Sequence, residues 1–476
     1  MKAIKKKVYY HYEFKITSAM NIGNGQNEVT DNDLIKDGSG TPYIPGSTVT
    51  GVFRSVLPEE CQTVFGTVGN LVTAPDKNVQ PQIEASQVIL YDARMKEKDY
   101  NISVRDSVAL DEYKTAIPGA KFDFEVLEPG VIFETWLEQD IEESVGDIPE
   151  EQEIGYLIAR QWEKGQIHFG SKGSRGLGQT KLLGVKRAEF IWDEKGINQW
   201  LDFDMYEEEG WTEQNIEELT DSKKQEENIL EILLSLKQEG GISIRRYTTS
   251  VKESVVSEGI DYKQMSYIRG EKETPVIPGT SWAGAFRHHI NRITANKFKK
   301  YFGSTEQKSR IFFSESEITG ATQKVLTHNA IDRFTGGTID GALYTEKTWF
   351  GGKTQLKIQI DTSKRDVQEK ASKKNDIWEK NAKSHDFKSD IRKKDIQKNN
   401  VETVMEKEFY VALAAAILDL HLGILSIGGL TSIGRGLFSI EKIQINGEEI
   451  PVAHDADAIA KMHQELTQKL IEGGCA

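Results

Sequence analysis

The sequence predicts an α+β protein made of two copies of one domain, and three observations carry that expectation. The stretch Thr41-Pro-Tyr-Ile-Pro-Gly-Ser-Thr-Val-Thr-Gly-Val-Phe-Arg54 recurs 233 residues later as Thr274-Pro-Val-Ile-Pro-Gly-Thr-Ser-Trp-Ala-Gly-Ala-Phe-Arg287. A Phe-Gly pair and alternating strand patterns follow each copy in the same order. Each half then closes with a helical pattern, a glycine-rich loop and a strand. Order, spacing and residue type repeating over several elements mark a duplicated domain.

Length and composition fit that division. A chain of 476 residues has room for roughly two to four domains with cores of their own. The duplication selects two: a first domain over 1–200, an acidic linker over 201–226, a second domain over 227–450 and a tail over 451–476. Met1-Lys-Ala-Ile-Lys-Lys-Lys7 leads straight into a strand pattern without an apolar leader, and the longest apolar run, 409–430, is broken by Asp419, His421 and several glycines. The expectation is a soluble cytoplasmic protein with no membrane partner. Cys61 and Cys475 cannot staple a chain of this size, and neither has a Cys or His at zinc-ligand spacing, so no structural zinc is expected. The adjacent His288 and His289 diverge on a helix and make no metal site by themselves. A net charge of −14 argues against a protein that coats nucleic acid by charge alone. Much of the acidity is confined to 138–153 and 207–218, which leaves room for a basic groove elsewhere.

The elements follow in order. Residues 7–18 alternate as a first strand. It ends at Asn21-Ile-Gly-Asn-Gly25, and the polar stretch up to Thr41 is a surface loop carrying Asp31, Asp33 and Asp37. An apolar pair running into Pro-Gly and a hydroxyl residue predicts a strand end, a turn and an N-cap, opening a helix over about 47–57. The first-turn amides and hydroxyls of such a helix form an anion site that Arg54, or Arg287 in the copy, can back. Val64-Phe-Gly66 and a strand over 86–91 are answered by Tyr301-Phe-Gly303 and a strand over 309–315. Polar residues 95–120 lead into a strand over 121–127, with 326–343 and then 345–350 as counterpart. A helix over 151–164 precedes the loop 168–180 and a strand over 181–189, while a helix of roughly 402–422 precedes Ile427-Gly-Gly-Leu-Thr-Ser-Ile-Gly-Arg-Gly-Leu-Phe438 and a final strand. Residues 363–400 are lysine-rich and carry almost no apolar side chains, so no core forms there and a solvated helix or mobile arm is expected.

The glycine loops carry the chemistry. Gly170-Ser-Lys-Gly-Ser-Arg-Gly-Leu-Gly178 lets backbone amides approach phosphates, with Lys172 and Arg175 supplying charge, and Arg435 stands between Gly434 and Gly436 in the second loop. Neither loop ends in Gly-Lys-Ser/Thr, and each follows a helix and precedes a strand, so neither the P-loop nor the dinucleotide fingerprint fits.

The first strand, the Ile-Pro-Gly-Ser/Thr helix, the Phe-Gly turn, the strand Arg310-Ile-Phe-Phe-Ser314, the segment Ile331-Asp-Arg-Phe-Thr-Gly336 and the late Ser/Gly-Arg-Gly-Leu loop together resemble the RAMP superfamily. More narrowly, the chain looks like the backbone-forming subunit of type III CRISPR-Cas effector complexes, two units fused in one chain as in type III-D. The resemblance covers about 8–190 and 229–445. It implies two tandem modified ferredoxin-like (RRM-like) domains with inserted thumb hairpins, drawn from about 92–120 and 324–345. It also implies a grip on CRISPR RNA through Ser47, Thr50, Arg54, Lys172 and Arg175 in the first half, and through Thr280, Ser281, Arg287, Arg333 and Arg435 in the second. The implied partners are complementary target RNA and other effector subunits: a large polymerase-cyclase-like subunit, a small subunit and further backbone subunits.

Catalytic members of this family cut the target RNA with an aspartate ahead of Ile-Pro-Gly and a divalent metal, Mg²⁺ or Mn²⁺. A gapless count back from that motif places this metal-binding aspartate on Asp31, with Asp33 as its substitute. The same count in the second half reaches Gln264, which neither acts as a base nor holds a metal strongly. Asp261, three residues upstream, would reach the phosphate only in a loop of different shape. His168 and His328 are candidate general acids. Two other roles remain open on the sequence: a guide-holding scaffold without cleavage, and an endoribonuclease processing precursor CRISPR RNA, although no histidine cluster for the latter is visible.

Overall fold

The computed structural model describes residues 3–25, 30–66, 85–111, 115–142, 150–216, 229–246, 260, 262–269, 272–304, 307–362 and 405–474. They fall into two compact units, one built on Met1–Lys224 with Tyr267–Glu273 and the other on Gln225–Arg246 with Glu258–Ser266 and Thr274–Ala476.

The first unit runs β1 (Ile4–Ile16), α1 (Gly46–Val56), β2 (Val88–Leu90), β3 (Arg94–Met95), the hairpin β4 (Ile102–Leu110) and β5 (Ala116–Leu127), β6 (Ile132–Glu142), α2 (Ile154–Glu163), β7 (Thr180–Ile191), α3 (Glu194–Asp202) and β8 (Thr212–Glu213). β1 lies between β6 and β7, antiparallel to both, and β2 borders β6. This is the strand order of a ferredoxin-like βαββαβ sheet, with the β4–β5 hairpin inserted after its second strand. Side chains alternate along a strand, so Val8, Tyr10, Tyr12, Phe14 and Ile16 share one face, fully buried. α1 closes on that face with Val49 and Phe53, four residues apart, and α2 with Ile154, Ile158 and Trp162. The rings of Tyr12, Phe53 and Trp162 meet at 5.5–5.8 Å, and the Trp162 indole donates to the Thr180 hydroxyl at 2.7 Å.

The opposite face of the sheet is covered as well. Tyr9, Ala188 and Phe190 pack with Trp200, Phe203, Met205 and Trp211. Residues 203–216, expected as the start of a linker, therefore belong to this unit, because a few aromatic side chains among the acids find an apolar strand face. The rest of that stretch, 217–226, lies outside the described residues.

The second unit repeats the plan. The chain from here runs β9 (Ile229–Glu239), β10 (Gly241–Ile242), β11 (Arg245–Arg246), β12 (Tyr262–Gln264), β13 (Ser266–Arg269), β14 (Lys272–Ile277), α4 (Gly279–Ile293), β15 (Ile311–Phe313), β16 (Ser316–Glu317), the hairpin β17 (Thr322–Ile331) and β18 (Thr338–Phe350), β19 (Lys353–Asp361), α5 (405–421), β20 (Leu437–Ile445), β21 (Glu448–Ile450) and α6 (Ala456–Gly474), with Tyr267–Glu273 counted in the first unit. The sheet order β15-β19-β9-β20 reproduces β2-β6-β1-β7. Leu230, Ile232, Leu234 and Leu236 of the central strand face Trp282, Phe286 and Ile290 of α4 and Leu413, Ile417 and Leu420 of α5. Met462, Leu466 and Leu470 of α6 join the same core, so the C-terminal stretch expected as a tail is part of the domain. The lysine-rich insertion at 363–400 lies outside the described residues. Among the described residues, no helix is long and apolar enough to cross a membrane.

Both Ile-Pro-Gly helices open earlier than the hydroxyl residue. Pro45 and Pro278 are the N-caps, with extended backbones (φ −58°, ψ 140° and φ −60°, ψ 142°) and no side-chain cap bond. Their ψ values, far from the helical value of about −42°, put both prolines outside the helix, so helical geometry starts at Gly46 and Gly279, and Ser47 and Thr280 are second-position residues rather than caps. Gly46 is needed there: a Cβ would stand 2.7 Å from the carbonyl oxygen of Leu90. Its N–H donates to Asp92 Oδ1 at 2.7 Å, so a carboxylate of the chain itself already engages the start of α1.

Candidate nucleic-acid interface

The loop between β1 and α1 is fastened to strand β5 of the inserted hairpin. The Asp31 N–H donates to Asp123 Oδ1 at 2.9 Å, and the Asp123 N–H donates to Asp31 Oδ2 at 3.0 Å. Further along, the Glu125 N–H donates to the Asn32 carbonyl (3.1 Å), Leu34 N–H to Glu125 Oε2 (2.9 Å), and the Lys36 ammonium pairs with Glu125 (3.1 Å). Asp31 is exposed. Asp33 is 6% exposed and accepts from the N–H and hydroxyl of Thr30, both at 2.8 Å. Of the two candidate carboxylates, Asp31 faces solvent and Asp33 holds the loop together.

The other face of β5 meets the glycine loop. Alternation along the strand puts Phe122 and Phe124 opposite Asp123 and Glu125, and the Lys172 ammonium sits 3.1 Å from the Phe124 ring centroid and 4.5 Å from that of Phe122. Burial away from water, then the charges of Arg175 and Arg105, bring the Lys172 ammonium down to about 7. Arg175 is exposed beside it. Buried Asn21 joins both loops: its Nδ2 donates to the Glu125 carbonyl at 2.8 Å, and its Oδ1 accepts from the Ser171 hydroxyl (2.8 Å) and Asn32 Nδ2 (3.2 Å). An exposed carboxylate and a cluster of cations thus flank the two faces of one hairpin strand. Arg105, Asp123, Glu125 and Asn21 were not singled out in the sequence; their only signal there is a polar residue inside a strand pattern or at its end.

On α1, Ser47 is exposed, the Thr50 hydroxyl donates to the Gly46 carbonyl at 2.7 Å, and Arg54 is half-buried in the last turn. On α4 Thr280 and Arg287 hold the places of Ser47 and Arg54, Ser281 that of Thr48, and Ala283 stands where α1 has Thr50; Thr280, Ser281 and Arg287 are all half-buried. Arg333 is exposed at the turn of the β17–β18 hairpin.

The second unit departs in two respects. Gly23 bridges Leu34 and Ile35 N–H donates to the Ile22 carbonyl in the first unit; in the second, Arg245 bridges Gln264 and Met265 N–H donates to the Ile244 carbonyl. Gln264 therefore takes the place of Leu34, not of Asp31, and the gapless count is three residues off because the β13–β14 segment is longer than its counterpart. Gln264 is 3% exposed and bonded to Ile244, Met265 and Val276 backbone groups. Asp261, three residues upstream, lies outside the described residues.

The glycine loops also align differently from the sequence expectation. Lys172 (φ 58°) and Leu430 (φ 54°) each open a short 3₁₀ turn, over Gly173–Arg175 and Thr431–Ile433, and the loops close with Phe169 N–H to Gly178 O and Ile427 N–H to Gly436 O, both 2.9 Å. Leu430 and Ile433 thus occupy the places of Lys172 and Arg175, and Arg435 that of buried Leu177. Arg435 is 7% exposed and paired with Glu346, whose Oε1 also meets His328 Nε2 at 3.0 Å. Arg435, expected as an RNA contact, is engaged in a buried ion pair, and His328 meets the same carboxylate.

Asp31 and Asp123 each engage one oxygen with the other's amide, which leaves Asp31 Oδ1 outside that pair. Among the described residues, no three His, Cys, Asp or Glu side chains gather at metal-binding spacing. A Mg²⁺ at Asp31 would take most of its ligands from water and phosphate, as Mg²⁺ usually does.

A family model described as the RAMP superfamily matches residues 13–181 and 258–439, most of the chain; the first region starts within β1 and the second after β9, and each takes in the Ile-Pro-Gly helix, the hairpin and the glycine loop. Comparison with curated proteins gives no match.

Proposed function

The chain belongs to the RAMP superfamily, which gives it a CRISPR-associated RNA-binding role, and from that premise we propose that it is a double backbone subunit of a type III effector complex. The two units hold CRISPR RNA paired to its target, and the first unit cleaves the target RNA at Asp31. The other effector subunits are its partners, and Mg²⁺ or Mn²⁺ its cofactor.

One observation carries the cleavage reading: the loop bearing exposed Asp31 is bonded to the hairpin whose other face carries Lys172. RNA backbone lying against Lys172 and Arg175 would run beside the hairpin that holds the carboxylate. Asp31 then draws the proton from a target ribose 2′-OH; the 2′-oxygen attacks the adjacent phosphorus, the bond to the 5′-oxygen breaks, the leaving 5′-oxygen takes a proton from solvent, and a 2′,3′-cyclic phosphate and a 5′-hydroxyl result. Asp31 would be the residue to hold a divalent cation, which would neutralise charge at the phosphate.

The test is target cleavage by the assembled, guide-loaded complex with Mg²⁺. Asp31→Ala is expected to abolish one cut and leave the others. An unchanged pattern would make this unit a guide-holding scaffold. Asp261→Ala decides separately whether the second unit cuts, since Asp261 precedes Gln264 in the sequence by three residues, the spacing Asp31 has from Leu34.

A further inference from the structure

We infer that Asp123, on the β4–β5 hairpin, is the positioning residue for Asp31, so that the seat of the hairpin on RNA sets where the Asp31 carboxylate points. The inference rests on the reading of Asp31 as the cleaving group.

Two observations support it. The hairpin forms a two-stranded sheet of its own, yet the Asp31 loop is bonded to β5 at residues 31, 32, 34 and 36. The Asp31 carboxylate itself accepts from the Asp123 amide, and the Asp31 amide donates to the Asp123 carboxylate, a reciprocal pair that fixes both the backbone and the side chain of Asp31. Secondly, an acid at 123 does the hairpin no good. Asp123 stands directly across from Asp106 in the β4–β5 register, and like charges facing each other across strands are unfavourable. The Asp106 carboxylate draws on Lys121 at 3.0 Å. Asn or Thr at 123 would suit the hairpin better, so the contact that uses the acid's oxygens is the one to the Asp31 loop.

Asp123 thereby acts through Asp31 and touches no reacting atom. Misplacing a reacting group by about 1 Å costs on the order of 10²-fold in rate. The experiment is single-turnover target cleavage by the guide-loaded complex, carried out with Asp123→Ala, Asp123→Asn and Asp31→Ala, with target affinity measured alongside. Asp123→Ala is expected to slow the same cut that Asp31→Ala abolishes by roughly 10²-fold, with target affinity unchanged. Asp123→Asn keeps an oxygen that accepts from the Asp31 N–H and is expected to recover most of the rate. A wild-type rate in Asp123→Ala, with Asp31→Ala inactive, overturns the inference and spares the reading of Asp31. Asn failing as fully as Ala also overturns it, since the charge of Asp123 would then be used in the reaction itself. An intact cut in Asp31→Ala overturns both.

Discussion

At the scale of single residues, Lys172 is the position whose chemistry the fold alters most within the interface. Its ammonium is brought from 10.5 to about 7 by burial and then by the nearby Arg175 and Arg105 charges, while a phosphate placed beside it favours the charged form. RNA binding above pH ~7 must therefore take up a proton, and linkage fixes the sign: affinity is highest below about pH 6 and falls as pH rises through about 7. Lys172→Ala is expected to flatten that dependence and to lower the salt slope of guide binding by about 0.7. Lys172→Arg keeps the charge at every accessible pH and is expected to flatten the profile at high affinity. Titrating guide RNA against the full chain at pH values from about 6 to 9 checks both; a wild-type profile flat across that range would sink the idea. The neighbouring aspartates differ just as clearly. Spacing ranks Asp31 ahead of Asp33 in the polar loop sequence, and the bonds from Thr30 to Asp33 separate the loop's brace from its exposed acid.

At the scale of elements, the two Ile-Pro-Gly helices were legible because Pro and Gly constrain the backbone wherever they occur. What the sequence could not show is how closely the helix start approaches β2. Gly46 faces the Leu90 carbonyl, whereas Gly51, exposed in the same helix, has nothing within 4 Å of the place its Cβ would take. The two alanine substitutions are accordingly expected to act in opposite directions. Gly46→Ala forces backbone apart and should destabilise by about 1–3 kcal/mol; Gly51→Ala should stabilise by about 0.5–1 kcal/mol through helix propensity. Urea unfolding of the two variants checks the signs. The stretches misjudged from sequence failed for one physical reason. Composition averages over a segment, so Trp211 among acids and Leu466 and Leu470 in a charged helix were outweighed, although a few well-placed apolar side chains are enough to dock a segment on a waiting sheet or core.

At the scale of the whole molecule, the duplication preserved the scaffold and let the interface diverge. Sheet order, helix entries and loop backbones agree between the units, down to paired left-handed residues at 172 and 430, and this much follows from patterns that repeat in the sequence. In the first unit the residues the sequence singled out, Asp31 and Lys172, meet the same hairpin strand; in the second, matching letters mislead. Arg175 and Arg435 each precede a glycine and look equivalent; the loop bonds set them two positions apart, and register of this kind is decided by long-range hydrogen bonds rather than by local spacing. Arg435 is an interior residue whose charge is balanced by Glu346, and removing one partner of a buried pair leaves the other uncompensated, at a typical cost of about 3–5 kcal/mol. Arg435→Ala is therefore expected to lower the stability of the second unit steeply while leaving the salt slope of RNA binding unchanged. Arg175→Ala, on an exposed turn, is expected to do the reverse: stability within about 0.5 kcal/mol of wild type and a slope reduced by about 0.7. Thermal unfolding and salt-dependent guide binding on the same two variants separate the roles. If Arg435→Ala left stability intact and weakened RNA binding as Arg175→Ala does, the second loop would be a phosphate grip after all, and the asymmetry between the two halves would vanish.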